Sequence, residues 1–309
     1  MLRSMYAGIS GMKGFQTKLD TIGNNIANVN TYGYKKGRVT FQDMLSQTVS
    51  GAEGPNQNAG VGPGNVRGGI NPSQVGLGSQ MGSIDTIHTQ GSRQTTNRPL
   101  DLSLEGDGMF VLGEGGNNGS IDPTAAIADL SQVNTTFTRS GNFYLDNNGA
   151  IVNNEGKYVL GERATDGALN GTLGPITIPN NAQSFSVQSD GQVKYIDTSG
   201  ETQVAGQIRL ANFSNVSGLK KVGGNAFQNT DNAGIYTANN DGNFNGLNDL
   251  IVAGQDGTGS MLAGSLEMSN VDLAESFTEM ITAQRGFQAN TRIITTSDEI
   301  LQELVNLKR

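Results

Sequence analysis

The stretch SNVDLAESFTEMITAQRGFQANTRIITTSDEILQELVNLKR, residues 269–309, decides the fold of this chain. Asp272 and, three residues later, Glu275 are typical of a helix N-terminus, because such side chains can bond free backbone N–H groups of the first turn. The spacing of the apolar residues predicts one amphipathic helix of roughly 35 residues, about 50 Å long. Its main apolar set recurs in steps of three, four or seven and comprises Leu273, Phe277, Met280, Phe287, Ile294, Leu301 and Val305.

An apolar stripe of this length needs a partner, and the beginning of the chain offers one. A second helix is predicted from about Leu2 to Asn28, where four glycines weaken it by about 0.5–1 kcal/mol each relative to Ala. We therefore predict an α+β fold in which the two terminal helices pair as a coiled coil and their apolar residues form an assembly interface. The N-terminal members of that interface are Leu2, Met5, Ile9, Met12, Leu19, Ile22, Ile26 and Val29.

Charge also distinguishes the two ends of the chain. Residues 1–50 hold six basic and two acidic residues, a net charge of +4, whereas residues 265–309 hold four basic and seven acidic residues, a net charge of −3. Opposite charge favours pairing of the two ends, although exposed ion pairs contribute little energy. The alternative interpretation is an ordinary two-helix hairpin within a soluble domain.

Composition excludes several classes of function. The chain of 309 residues has a net charge of −8, which argues against a general nucleic-acid-binding protein. It has no cysteine, so disulfides, thiolate metal sites and cysteine nucleophiles are excluded. No run of 18 apolar residues predicts membrane insertion, and the N-terminus lacks the features of a Sec signal peptide. If the protein is exported, we expect it to leave the cell without a cleaved signal.

Between the helices, the pattern predicts a β-rich outer domain. Four segments follow from the composition: an N-terminal helix of an inner domain (1–48), a Gly/Pro/Asn-rich extended linker (49–83), the β-rich domain (84–264) and the C-terminal helix of the inner domain (265–309). The linker is either disordered or ordered only against neighbouring subunits. Strand–turn–strand patterns at 101–112 and 184–196 predict hairpins, whereas 117–135 and 231–259 are expected to be loops.

The inventory of reactive side chains does not predict an enzyme. His88 is the only histidine, and a lone histidine is more often a surface or hydrogen-bonded residue than a catalyst. The series Asn239, Asp241, Asn243 and Asn245 resembles a calcium-binding loop but lacks its terminal carboxylate, which favours a turn-rich loop. We therefore expect no catalytic residue, no metal site and no cofactor.

Several segments resemble the flagellar axial proteins, the family that forms the rod and hook. Residues 23–35 (GNNIANVNTYGYK) are similar to the family's N-terminal signature, and 269–273 with 280–290 (MITAQRGFQAN) are similar to its C-terminal one. The segments 100–110, 138–143 (TRSGNF) and 211–219 are also similar to family segments. These matches follow the family's order and extend over most of the chain.

Within this family, the resemblance favours the hook subunit in its short Gram-positive form, a curved tube that transmits torque from rod to filament. Large hook proteins carry an additional outer domain between the segments near Leu160 and Gln207, and this chain does not. The distal rod subunit is therefore the main alternative. A secreted adhesin or coat protein is the alternative from another class, although it does not need paired helices at both termini.

The resemblance also implies a mechanism, a location and partners. The terminal helices would line a hollow helical homopolymer, and both ends of the chain would be disordered before assembly. The chain would be exported unfolded by the flagellar type III apparatus and would act outside the cell, in the hook and basal body. Its implied partners are further copies of itself, the distal rod protein, the hook cap protein and the hook–filament junction proteins.

Overall fold

The computed structural model describes residues 2–54, 68–115, 121, 126–127, 130, 133–165, 167–237, 244 and 246–307. Two helices, α1 (Leu2–Ala27) and α2 (Leu273–Leu307), enclose a β-rich region in the sequence, as predicted. The strands in chain order are β1 Gly37–Asp43, β2 Ser46–Ser50, β3 Ser73–Gly76, β4 Ser79–Thr86, β5 Arg93–Thr95, β6 Leu102–Glu105, β7 Met109–Glu114, β8 Asn134–Thr138, β9 Tyr144–Leu145, β10 Ile151–Val152, β11 Tyr158–Thr165, β12 Ala168–Pro175, β13 Ser184–Val187, β14 Gln192–Ile196, β15 Thr202–Ala211, β16 Lys220–Gly223, β17 Ala226–Gln228, β18 Ile251–Val252, β19 Ser260–Ala263 and β20 Ser265–Glu267.

The chain forms two compact units, each assembled from separate parts of the sequence. The helical unit comprises Met1–Ile26, Gly37–Asp85 and Leu273–Arg309, and the β unit comprises Ala27–Lys36 and Thr86–Asp272. The four-segment division at 48, 83 and 264 stays a prediction, and it differs from these units because residues 27–36 pack with the β unit rather than with the helix that precedes them.

The helical unit contains a long two-stranded ribbon in addition to α1 and α2. β1 pairs with β4, and β2 pairs antiparallel with β3. β1 and most of β2 precede the predicted linker at 49–83, whereas β3 and most of β4 lie within it. Residues 55–67 of the linker lie outside the described part of the chain. The Gly- and Pro-rich composition concealed these strands, because β2 and β3 are fully exposed and are defined by backbone pairing alone.

The β unit is built on a mainly antiparallel sheet with the strand order β13-β14-β15-β11-β7-β8-β17-β16. Four further strands attach to this path. β10 and β12 pair with β11, β9 pairs with β10, and β18 pairs with β15. Two further strand pairs, β6 with β19 and β5 with β20, complete the unit. Edge-to-face ring contacts occur in both apolar cores of the unit, between Phe110 and Phe143 at 5.1 Å and between Phe137 and Phe213 at 4.9 Å.

One of the two predicted hairpins is confirmed and the other is wrong. β13 and β14 pair directly, with Phe185 opposite Tyr195. β6 and β7 flank a turn at 106–108, but Leu104 of β6 pairs with Met261 of β19, and Phe110 of β7 pairs with Thr138 of β8. Both strands are almost entirely buried, so each is enclosed by partners distant in sequence rather than by its neighbour across the turn.

The two predicted loops are only partly described. Most of 117–135 lies outside the described residues, as do Asn239, Asp241, Asn243 and Asn245 of the calcium-loop candidate. The remainder of 231–259 contains a 3-10 helix at Leu247–Asp249 and the short strand β18.

Candidate functional site

The terminal helices lie against each other in antiparallel orientation. Oγ of Ser4, near the start of α1, lies 3.5 Å from Oγ of Ser297, near the end of α2. Further along, Gly11 faces Asn290, and Gly286 faces the ring of Phe15. The predicted pairing of the two ends of the chain is therefore present within one subunit.

Glycines allow the close approach of these helices. A Cβ atom on Gly11 would lie 2.8 Å from Nδ2 of Asn290, and one on Gly286 would lie 2.6 Å from Cζ of Phe15. A Cβ atom on Gly23 would meet nothing within 4 Å, so this glycine makes no such contact. The glycines that weaken α1 in isolation are thus of two kinds, and some of them are required by packing.

The buried positions of α2 form a line of small residues. Ser276, Ala283 and Ser297 are buried at spacings of 7 and 14 residues, and Asn290 occupies the intervening position against Gly11. A seven-residue repeat keeps one face of a helix toward one partner. The apolar residues identified in the sequence flank this line.

The predicted interface residues therefore differ in their surroundings. On α1, Ile22 is buried, Met5, Ile9, Met12, Leu19 and Ile26 are half-buried, and the half-buried Val29 follows the helix; nothing is described of the Leu2 side chain. On α2, four members are half-buried and three are exposed. The half-buried ones are Met280, Phe287, Ile294 and Leu301, and the exposed ones are Leu273, Phe277 and Val305.

A single subunit leaves much apolar surface uncovered in the helical unit. Phe277 is 50% exposed, Val305 is 66% exposed and Leu307 is 83% exposed. Other positions of α2 and the ribbon add exposed apolar side chains that lie outside the predicted interface set. This exposed set comprises Ile281, Ile293, Ile300 and Leu304 on α2, and Leu45, Val49, Val75, Leu77, Met81 and Ile84 on the ribbon. Exposed apolar surface of this extent is typical of a protein–protein interaction site.

A buried ion cluster in the β unit, formed by Lys35, Arg139 and Glu267, joins residues distant in sequence. Nζ of Lys35 lies 2.6 Å from Oε1 of Glu267, and Nε of Arg139 lies 2.6 Å from Oε2. Backbone groups satisfy the remaining donors, since Lys35 also donates to the carbonyl of Thr89 and Arg139 donates to that of Leu104. The three side chains are almost fully excluded from solvent.

The ion cluster lies where three backbone segments meet. The N–H of Gly33 donates to the carbonyl of Glu267 at 2.8 Å, and Gly91 N–H donates to the Glu267 carboxylate at 3.0 Å. Gly33 has a φ of 68°, and a Cβ atom there would lie 2.7 Å from the backbone nitrogen of Ser140. The cluster thus fixes residues 33–36, which follow α1, beside residues 267–270, which precede α2.

Burial and charge compete at Glu267. Burial alone would raise the pKa of this carboxyl, but the charges of Arg139 and Lys35 and their hydrogen bonds outweigh it and lower the pKa. Burial lowers the pKa of Lys35, and Glu267 opposes that shift. The cluster had little signal in the sequence, where the only indication was a charged residue directly after the apolar Leu266.

His88 lies beside the ion cluster, and burial and the nearby charges shift its pKa in the same direction. Its ring centroid is 5.4 Å from that of Phe227, and its buried Nδ1 has no hydrogen bond to the described residues. Burial, followed by the charges of Lys35, Lys221 and Arg139, lowers the pKa of His88 to about 4. The ring is therefore neutral at pH 7, and its environment disfavours protonation.

The described residues contain no helix with the length and apolar character needed to span a membrane. Within the same residues, no three acidic or histidine side chains converge to form a metal site.

Comparison with known proteins relates this chain to one family along its whole length. Three family models match: "Flagella basal body rod protein" at residues 5–35, "Flagellar hook protein FlgE/F/G D1 domain" at 127–195 and "Flagellar basal body rod FlgEFG protein C-terminal" at 262–307. The first and third cover most of α1 and α2, and the second covers a central part of the β unit.

Three curated relatives cover the chain from end to end. The flagellar basal-body rod protein FlgG of Bacillus subtilis is 51% identical over 309 residues, with 100% of both chains covered. The FlgG protein of Caulobacter vibrioides is 34% identical over 310 residues, with 99% of this chain and 100% of the relative covered. The flagellar hook protein FlgE of Borreliella burgdorferi is 32% identical, but its alignment extends over 461 positions, with 100% of both chains covered.

Proposed function

Because the chain belongs to the flagellar family of basal-body rod and hook proteins, we propose that it is a structural subunit of the distal rod. The observation that supports this choice is length. The chain aligns with FlgG proteins over 309 and 310 positions, whereas alignment with a hook protein needs 461. The comparisons therefore favour the distal rod alternative over the hook subunit that the sequence analysis favoured.

The subunit acts by polymerising with copies of itself, and the exposed apolar residues of the helical unit supply the contacts. In this proposal α1 and α2 line a tube, and the β unit forms its outer part. Residues such as Phe277 and Val305, exposed in one subunit, become buried against the next. Burial of apolar surface contributes about 25 cal/mol per Å², so each contact must bury many such side chains together to offset the entropy lost on association.

The proposal also assigns a route and neighbours. The chain is exported through the flagellar type III apparatus without a cleaved signal, and it acts outside the cytoplasmic membrane. Its axial neighbours are other rod subunits and the hook subunit. The hook cap and hook–filament junction proteins are its neighbours only if the hook alternative holds.

Electron microscopy of basal bodies from a deletion strain tests the proposal. For a distal rod subunit, we expect basal bodies whose rod is truncated and which carry no hook. Complete rods without hooks would instead support the hook alternative. Motile cells with intact flagella would exclude both functions and favour a surface protein of another class.

A further inference from the structure

The β unit contains a polar pocket that the assembly function does not use. Its volume is about 200 Å³, larger than the space occupied by one or two water molecules. Two sides are formed by residues 30–32, which follow α1, and by the Gly224-Asn225 turn. The lining residues are all polar apart from a glycine: Asn30, Thr31, Tyr32, Thr138, Ser140, Asn142, Asn153, Asn154, Gly224 and Asn225.

Local backbone geometry fixes the walls of this pocket. Gly224 and Asn225 have φ values of 56° and 58° and connect β16 to β17, as in a two-residue hairpin turn of type I′. This turn directs Nδ2 of Asn225 to the carbonyl of Tyr32 at 2.9 Å. Elsewhere in the lining, Oδ1 of Asn153 accepts hydrogen bonds from the N–H groups of Glu155 and Lys157. The side chains of Asn225 and Asn153 are therefore held in place by hydrogen bonds.

Several amide groups of the lining remain available to a ligand. Within the described residues, the side chains of Asn30 and Asn154 form no hydrogen bond, and Asn142 uses only its oxygen, which accepts from Ser140 at 2.6 Å. Asn225 uses only its nitrogen. The pocket thus offers unpaired donors and unpaired acceptors together, beside the ring of Tyr32, whose hydroxyl lies 3.4 Å from Oε1 of Gln94.

Charge and shape restrict the chemistry of an occupant. No lining residue is ionisable at neutral pH, and the nearby Glu155 is paired with Lys157 at 2.9 Å, so the pocket does not select an ion. The buried centre of a protein–protein interface is typically rich in aromatic residues, Met and Arg, and this lining holds only one aromatic residue. A small, neutral, hydrogen-bonding ligand fits these features better than a protein surface.

We propose that this pocket binds a neutral saccharide. A sugar hydroxyl is both a donor and an acceptor, so it can pair with either end of a carboxamide, and adjacent hydroxyls match the adjacent asparagines. The apolar face of a sugar ring can lie on an aromatic ring such as that of Tyr32. Since residues 30–32 form one wall, the ligand would contact both the segment that follows α1 and the sheet of the β unit.

Calorimetric titration of the full-length subunit with two neutral probes, tri-N-acetylchitotriose and maltotriose, tests the proposal. We expect saturable binding of at least one probe, weakened about fivefold or more by Asn154→Ala and by Asn142→Ala. Asn148→Ala is the matched control, because Asn148 is an exposed asparagine outside the pocket, and this variant should bind like the wild type. Thermal melting establishes that each variant is folded.

Two results would overturn the assignment. One is the absence of saturable binding for both probes at concentrations on the order of 10 mM. The other is binding that the two pocket variants leave unchanged. If Asn154→Ala impairs polymer formation while neither probe binds, the pocket is a contact between subunits, and the saccharide proposal is rejected. None of these results depends on whether the polymer is a rod or a hook.

Discussion

Nζ of Lys35 lies 2.6 Å from Oε1 of Glu267, although the two residues are 232 positions apart in the chain. One residue follows the first helix and the other precedes the second, so a single buried carboxylate connects the two approaches to the terminal helices. Glu267 also accepts from Arg139 and from the backbone of Gly91. Its carboxylate thus receives hydrogen bonds from three separate segments of the β unit.

Replacing Glu267 with Gln should destabilise the β unit strongly. The change leaves Lys35 and Arg139 buried without a counter-charge, a situation that costs about 3–5 kcal/mol. Denaturant unfolding of the monomer measures the effect. Glu105→Gln is the control, because Glu105 pairs with Arg93 at 3.0 Å while both side chains are exposed, and its loss should cost less than about 1 kcal/mol. Equal effects of the two changes would contradict the importance of the cluster.

The stability of the β unit should fall on mild acidification because of His88. Its pKa is about 4 in the folded chain and about 6.5 in the unfolded chain, so between these values the unfolded state binds more protons. The stabilisation is therefore complete above pH 6.5 and is lost as the pH falls toward 4. The loss is on the order of 2 kcal/mol, since each pKa unit corresponds to about 1.4 kcal/mol and the ring is partly exposed.

His88→Gln separates this effect from other titrations. Glu267 also contributes to acid sensitivity, but because its pKa is lowered from 4.5, that contribution is lost only as the pH falls below about 4.5. Urea unfolding of the variant at several pH values should show a flatter dependence of stability between pH 4 and 6.5. A slope equal to that of the wild type would show that His88 is not responsible.

Gly286→Val should impair assembly by forcing the helices apart. The new side chain would meet the ring of Phe15, and overpacking of this kind costs about 1–3 kcal/mol. The concentration of subunit required for polymer formation should therefore rise by roughly tenfold, measured by sedimentation of the polymer. Gly23→Ala is the matched control, since the added Cβ atom meets nothing within 4 Å. This change should stabilise α1 by about 0.5–1 kcal/mol.

Phe277→Ser should weaken polymer formation without affecting the monomer. The side chain is 50% exposed in one subunit, so its loss should change monomer stability by less than about 0.5 kcal/mol. If it becomes buried between subunits, the variant should require a higher concentration to assemble. Ala274→Ser, one turn earlier at an exposed position, should behave like the wild type. Normal assembly of Phe277→Ser would show that this face of α2 does not contact another subunit.

The terminal helices could be predicted from the sequence because their signal is local. The stripe from Leu273 to Val305 keeps one period throughout, and Asp272 marks its start, so the structure places α2 at Leu273–Leu307. The face of α2 that contacts α1 was less predictable. Its centre is formed by Ser276, Ala283 and Ser297, small residues that an apolar pattern does not include, because close backbone approach rather than side-chain size determines the contact.

Features that depend on distant residues were not predictable from one sequence. β6 and β7 are adjacent strands with the pattern of a hairpin, yet each pairs with strands from elsewhere in the chain. The ion cluster likewise combines residues near 35, 139 and 267, and the polar pocket combines residues near 31, 140 and 225. No local periodicity encodes such meetings, since they follow from the tertiary arrangement of the β unit.

The contact between Ser4 and Ser297 has a consequence for the order of folding, because these residues are 293 positions apart. Closing a flexible loop of that length costs about 5 kcal/mol beyond a constant term. If the bond between Lys35 and Glu267 forms first, the loop that remains shortens to about 60 residues and the cost falls to roughly 3.6 kcal/mol. Chain entropy therefore favours an order of folding in which the β unit forms early and the two terminal helices pair afterwards.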